Sequence, residues 1–167
     1  MADEQKIPLS YECYAYLDIQ PGEASPVYEL IGEGIDTLTP TQNPQVNTRQ
    51  YIHEINATTV VTALQKQFAY SGERVVGDPV NDFLASLVDK VGDSLKTTMV
   101  VFDSWEETET SGTYTAKKYD VVIAVSNSGD RAGGSSLSIS GTIYVNGDPI
   151  DGTFVLSTKT FTAADAE

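Results

Sequence analysis

Alternation of apolar and polar residues with a period of two constrains this chain more than any other feature. Tyr11, Cys13, Ala15, Leu17 and Ile19 alternate with Glu12, Tyr14, Tyr16 and Asp18. Successive side chains on a strand point to opposite faces, so this spelling predicts a half-buried strand. Pro21-Gly22 and Pro26 end it, and Val27 to Ile31 predicts a short second strand. Further strands are expected over Gln50–Ile55, Thr58–Tyr70, Ala116–Val125, Ser136–Val145 and Thr153–Phe161. In the second of these, Val60, Thr62, Leu64 and Phe68 share one face, with Thr59, Gln65 and Gln67 on the other. The cleanest alternation is in Ser136–Val145. Leu137, Ile139, Ile143 and Val145 point one way, and Ser136, Ser138, Ser140, Thr142 and Tyr144 the other.

Two segments break the β pattern. From Gly32 to about Thr48 the chain is rich in Gly, Pro, Thr, Gln and Asn, which predicts a long connection. Long connections in compact domains are usually functional or disordered. Loops are also expected near Glu107–Gly112 and Asn127–Gly134. The second break is a helix. Asp78 can cap it, Pro79 suits its first position, and Asp82 complements the positive end of its dipole. Val80, Phe83, Leu84, Leu87, Val88 and Val91 form one apolar stripe, and Gly92 allows a left-handed stop. The stripe is expected to pack on the chain's own sheet. Gly77-Asp78-Pro79 recurs as Gly147-Asp148-Pro149, where the same turn chemistry is expected to join two strands.

With 167 residues and 40% hydrophobic content, the chain can build one real core, and a single domain is expected over 1–167. Ten basic against 24 acidic residues give a net charge of −14, which opposes tight binding to nucleic acid or anionic lipid. No apolar run is long enough to span a bilayer, and MADEQKIPLS lacks the basic-then-apolar spelling of a signal peptide. The one cysteine, Cys13, excludes an internal disulfide framework. The one histidine, His53, lies in an alternating segment with no nucleophile elbow nearby, which points away from triad catalysis. No phosphate-binding glycine loop is present. Asn146-Gly-Asp-Pro-Ile-Asp-Gly152 has the wrong spacing for a calcium loop, and no glutamate closes it. Asn56-Ala-Thr58 fits a glycosylation sequon by chance, and Glu106-Glu107 reads as a solvated acidic pair. No enzyme activity, cofactor or metal site is expected.

The order of several segments resembles a known family. Glu29-Leu-Ile-Gly-Glu-Gly34 leads into Thr39-Pro-Thr-Gln-Asn-Pro44 and Tyr51-Ile52. Arg74-Val-Val-Gly-Asp-Pro-Val80 opens the helix, and Gly147-Asp-Pro-Ile-Asp-Gly-Thr-Phe154 and Thr158-Lys-Thr-Phe161 follow. From Val27 to Phe161 this is similar to the major tail tube proteins of long-tailed bacteriophages, especially non-contractile tails of phages and prophages of Gram-positive bacteria. Contractile-tail and secretion-system tubes share the architecture.

The resemblance implies a mainly β fold, a sandwich or barrel-like arrangement with one flanking helix. It implies six-membered rings of this chain, stacked into a hollow tube that conducts DNA without specific binding. Tape measure, tail terminator and distal tail proteins would be further partners. The location would be the virion tail, assembled in the host cytoplasm, with no membrane contact. Residues 32–48 would be the contact between rings or subunits, through Thr39, Thr41, Gln42, Asn43, Gln45, Asn47 and Arg49, with Tyr51 just beyond. Residues 1–9 and 158–167 would be arms. Ser136, Ser138, Ser140 and Thr142 would face either the lumen or external solvent. A net-negative lumen would let DNA slide. A second reading is a non-catalytic binding or decoration module. Its one tryptophan, Trp105, is a poor substitute for the aromatic platform of a glycan binder.

Overall fold

The fold is described by a computed structural model for residues 5–164. Within them lie ten strands and one α-helix. In chain order these are β1 (Cys13–Asp18), β2 (Tyr28–Leu30), β3 (Ile35–Thr41), β4 (Pro44–Arg49), β5 (Thr58–Leu64), β6 (Gln67–Glu73), α1 (Pro79–Ser86), β7 (Lys96–Glu107), β8 (Thr113–Asp130), β9 (Ser138–Val155) and β10 (Thr160–Ala163). Eight strands form one curled antiparallel sheet in the order β2-β1-β7-β8-β9-β6-β3, with β10 added beside β9. Strands β4 and β5 form a separate two-stranded hairpin. The architecture is mainly β with one helix. The sheet is continuous, so its curl does the work of a second layer.

Alternation on the central strands places a separate core on each face. Leu17, Met99, Tyr119, Val121, Ile123, Ile139 and Ile143 share one core with Phe68, Tyr70 and the helix. Tyr16, Val100, Phe102, Ala116 and Phe154 build the other. This second core is aromatic. Phe102 stacks on Tyr14, Tyr114 and Phe154 at centroid distances of 5.2, 5.0 and 5.2 Å. Each such pair contributes about 0.5–1.5 kcal/mol beyond area burial. The half-buried expectation for β1 is therefore corrected: Tyr16 and Asp18 are buried as well as Ala15 and Leu17. Asp18 is satisfied there, its Oδ1 accepting from the backbone N–H of Gln20 and Val27.

Several boundaries differ from the sequence reading. Residues 32–48 are not a loop: they contain β3 and β4. Pro40 fits because β3 is an edge strand with β6 as its one partner, and Pro44 fits as the first residue of β4. Asn43 turns the chain between them at φ 43°, a conformation asparagine tolerates. Gln50–Ile55 is not a strand but part of the β4–β5 connection, and Thr58–Tyr70 is two strands parted at Gln65-Lys66. β8 continues to Asp130 through the expected loop. Gly147-Asp148-Pro149 does not join two strands. It is a bulge inside β9, opposite Tyr119, with Gly147 at φ 71°. Thr153–Phe161 is the end of β9, a turn and the start of β10.

The helix is shorter than its stripe. Asp78 caps it by accepting from Asn81 N–H at 2.8 Å, and Val80, Leu84 and Leu87 are buried. Phe83 and Val88 are half-buried. Tight bonds from Leu87 to Leu84 and Val88 to Ala85 close the last turn, and Asp89 at φ 62° stops it. Gly92 plays no part in that stop. Val91 therefore leaves the helical register and is exposed, contrary to its assignment to the core stripe. Asn81, fully buried, donates to Glu73 C=O and accepts from Arg74, so it ties the helix to β6.

The Tyr70 hydroxyl is buried with no hydrogen-bond partner among the described residues, and burial pushes its pKa up to about 12. It rests over Gly141, where a Cβ would collide with it and with Ala124 C=O.

Leu84→Ala should destabilise the domain by about 2–5 kcal/mol in chemical denaturation, because a buried leucine leaves a cavity. An unchanged midpoint would mean the stripe serves another surface. Tyr70→Phe removes an orphaned polar group and should stabilise by about 1 kcal/mol at neutral pH. The folded state keeps Tyr70 protonated up to about pH 12, whereas an unfolded tyrosine ionises near pH 10. Its contribution is thus intact below about pH 10 and lost as pH rises towards 12. Tyr70→Phe should flatten that alkaline loss; an identical alkaline profile would contradict the assignment.

Candidate assembly surfaces

Register fixes which side chains share a face. Residues directly opposite in an antiparallel sheet project to the same side. Ser138 on β9 is flanked by Glu73 on β6 and Asp130 on β8. Ser140 is flanked by Ser71 and Asn127, and Ser71 in turn by Thr37 on β3. Thr142 is flanked by Ala69 and Ala124, and Ala69 by Thr39. Tyr144 is flanked by Gln67 and Val122, with Thr41 beyond Gln67. These rows make a face of small and hydroxyl-bearing residues, opposite the face that carries Phe68, Tyr70, Ile139 and Ile143. None of these positions is Lys or Arg; the last row continues from Val122 to Lys96 on β7, which is paired with Asp93. Two side-chain bonds run along this face, Thr37 with Ser71 at 2.7 Å and Asn127 Nδ2 donating to Ser138 Oγ at 3.3 Å, and Asn127 Oδ1 accepts from Gly129 N–H.

Sequence-chosen residues fall on this face from two directions. Ser138, Ser140 and Thr142 lie in its middle. Thr39 and Thr41, assigned to the contact loop, lie on the same face through β3 and β6. Ser136 lies before β9, outside the strand, and its hydroxyl donates to Glu73 Oε1 at 2.6 Å. It belongs to the rim rather than to the rows. Ala69, Ser71, Ala124 and Asn127 were not singled out from the sequence. The alternation of β6, where Phe68 and Tyr70 are buried between them, carries the signal for the first two.

The second surface is the β4–β5 hairpin. Every residue of both strands is exposed. Gln45, Asn47 and Arg49 lie on β4, Gln42 and Asn43 in the turn before it, and Tyr51 in the turn after it. The sequence reading missed the apolar load on the same unit. Val46, Val60, Val61 and Leu64 are each more than half exposed, and Ile52 and Ile55 stand free in the connection. An isolated two-stranded hairpin is marginal in water, and on this one Val46 and Val61, although directly opposite each other, both stay more than half exposed. Thr48 and Thr59 bond across it at 3.0 Å, and the Tyr51 and His53 rings stack near its end.

No family model matches the chain, and no curated protein matches it. A solved chain does. It belongs to the tail of an empty GTA particle, determined with helical refinement in C6 symmetry. The TM-score is 0.62, over 94% of this chain and 100% of that one. The two chains share a fold. Sequence identity is 10%, so the shared property is the backbone and not the side chains. The fold carries both surfaces: β3, β6, β8 and β9 hold the hydroxyl rows, and the hairpin projects from between β3 and β6.

Neither hydrophobic core includes a hairpin residue. Replacing Gln45–Ala63 with an Asn-Gly turn should therefore leave a folded domain, with its denaturation midpoint within about 0.5 kcal/mol of the parent under dilute conditions. A loss above about 2 kcal/mol would place the hairpin in the stability of the single subunit.

Proposed function

We propose that this chain is a non-catalytic tail tube subunit. Copies close into six-membered rings, rings stack, and the stack is a hollow conduit for DNA in a virion tail. The observation that carries this reading is the hydroxyl face, whose one bordering cation, Lys96 on β7, is paired with Asp93, on a fold shared with a C6-symmetric particle tail. In a closed ring such a face suits a lumen. Small side chains keep the bore open, hydroxyls exchange bonds with passing phosphates readily, and Glu73 and Asp130 repel them. Cationic side chains would instead hold the phosphates. The hairpin supports the same reading, because its valines need cover that one copy does not give.

Resemblance of the sequence extends the proposal to non-contractile tails of phages and prophages of Gram-positive hosts. By the same resemblance, the tube meets tape measure, terminator and distal tail proteins, and assembles in the host cytoplasm.

Electron microscopy of the purified protein at raised concentration should show hollow tubes or six-fold rings. Monomers at every concentration would contradict the proposal. The lumen assignment has its own test. Ser138→Arg with Ser140→Arg leaves the buried face of β9 untouched, so tubes should still form. Each ring would then present cations to DNA, and about six phosphate contacts make retention fall roughly 10³-fold between 50 and 200 mM salt. DNA passage should stall at low salt and recover at high salt. Normal passage at low salt would put this face on the outside.

A further inference from the structure

Strands β6 and β10 occupy the two ends of the same edge of β9. Gln67 faces Tyr144, and Ala163 faces Gly152. Between them, no strand among the described residues lies alongside residues 145–151 of β9 on that edge. Opposite Tyr119 the bulge Gly147-Asp148-Pro149 pushes the strand outwards. The notch that results is a cavity of about 520 Å³. Its walls are Gln65 and Lys66 at the hairpin root, Lys117 and Tyr119 of β8, and the bulge.

Lys66 is held in this notch. Its Nζ donates to Tyr119 Oη at 2.8 Å and stands 4.4 Å from the centroid of that ring and 5.2 Å from that of Phe68. Ammonium groups are stabilised over aromatic faces, and here two rings fix one. Lys117 already has a carboxylate, Asp151, at 3.3 Å. Lys66 has none: among the described residues no carboxylate lies within 4.0 Å of its Nζ. Asp148 stands on the rim without pairing to it. Among the described residues this half-buried ammonium bonds Tyr119 alone, which leaves two of its three N–H donors for another acceptor.

We infer that the notch receives a carboxylate of a second copy of this chain, and that Lys66 is its ligand. Charge complementarity selects that occupant. Each copy carries a net charge of −14, so a fixed cation on one that meets an acid on the other offsets part of the repulsion between copies. Position agrees. Leu64, an exposed apolar residue of the hairpin, is part of the notch wall, so a copy that covers the hairpin also lies over Lys66. The inference rests on the self-assembly reading and gives it a polar anchor beside its apolar one.

The test uses equal amounts of unlabelled and nitrogen-15-labelled full-length protein, mixed at assembling concentration and treated with a carbodiimide. This reagent joins an ammonium and a carboxylate in contact as an amide. Peptide mass spectrometry should find Lys66 joined to an acidic peptide of the other isotope. Lys66→Met, which keeps the stem, should fold like the parent but need about tenfold more protein to assemble. Its assembly should also be less sensitive to salt. Lys66 linked within one copy, to Asp148 for example, would overturn the inference, as would Lys66→Met assembling at the parent concentration. Electron micrographs of the same samples separate the two readings. Tubes without mixed-isotope Lys66 links reject the notch and leave the tube. Mixed-isotope links in oligomers that are neither rings nor tubes reject the tube and leave the notch.

Discussion

The β8–β9 pairing sets the position of nearly everything else in this molecule. Each strand is 18 residues long, and their register runs from Thr113 opposite Val155 to Asp130 opposite Ser138. Different stretches of the pair meet different partners, β7 and β10 at one end and β6 towards the other. A slip by one residue would turn Ile139 and Ile143 outwards and Ser140 and Thr142 into the core. Burial of Ile123, Ile143 and Phe154 therefore holds the hydroxyl rows in place. The bulge at 147–149 interrupts the same pairing and opens the notch beside Lys66. One register thus determines the smooth face, the cores behind it and the cationic recess.

Two kinds of surface follow, with opposite physical demands. The hydroxyl face has mostly small side chains, and the one cation in its rows, Lys96 at the β7 border, is paired with Asp93, which suits contact with something that must not adhere. The hairpin has exposed valines and isoleucines, which suits permanent cover. A single copy satisfies the first demand and leaves the second unmet. Acidic character adds a further constraint, since copies at −14 each repel at long range. Apolar cover and a fixed ammonium are local answers to that repulsion.

Much of this was legible in the sequence, for physical reasons that differ by element. The helix start was legible because Asp78 and Pro79 act locally. Its end was not, because the stripe kept its period through Val91 while Asp89 had already turned the backbone. The alternation of β9 was legible because one of its faces is buried throughout its first half. The strands in 32–48 were not, because an edge strand and a free hairpin need no buried face, and their Pro, Thr and Gln content matches that of a loop. The partners of Ser138 and Ser140 across β6 and β8 depend on long-range register, which no local pattern encodes. The second core escaped for a similar reason: Tyr16 and Tyr114 look like the polar side of a strand until aromatic neighbours from elsewhere cover them.

Amide hydrogen exchange on the β4–β5 hairpin, read by mass spectrometry in dilute protein and again in concentrated protein, tests the central claim most directly. In the dilute protein the amides of Thr58–Leu64 should exchange fast, while those of Val121–Ile123 stay protected by the core. In the assembled protein the hairpin amides should become at least tenfold slower. Hairpin amides already protected in the dilute protein, or equally fast in both, would contradict the account that other copies of the chain complete this fold.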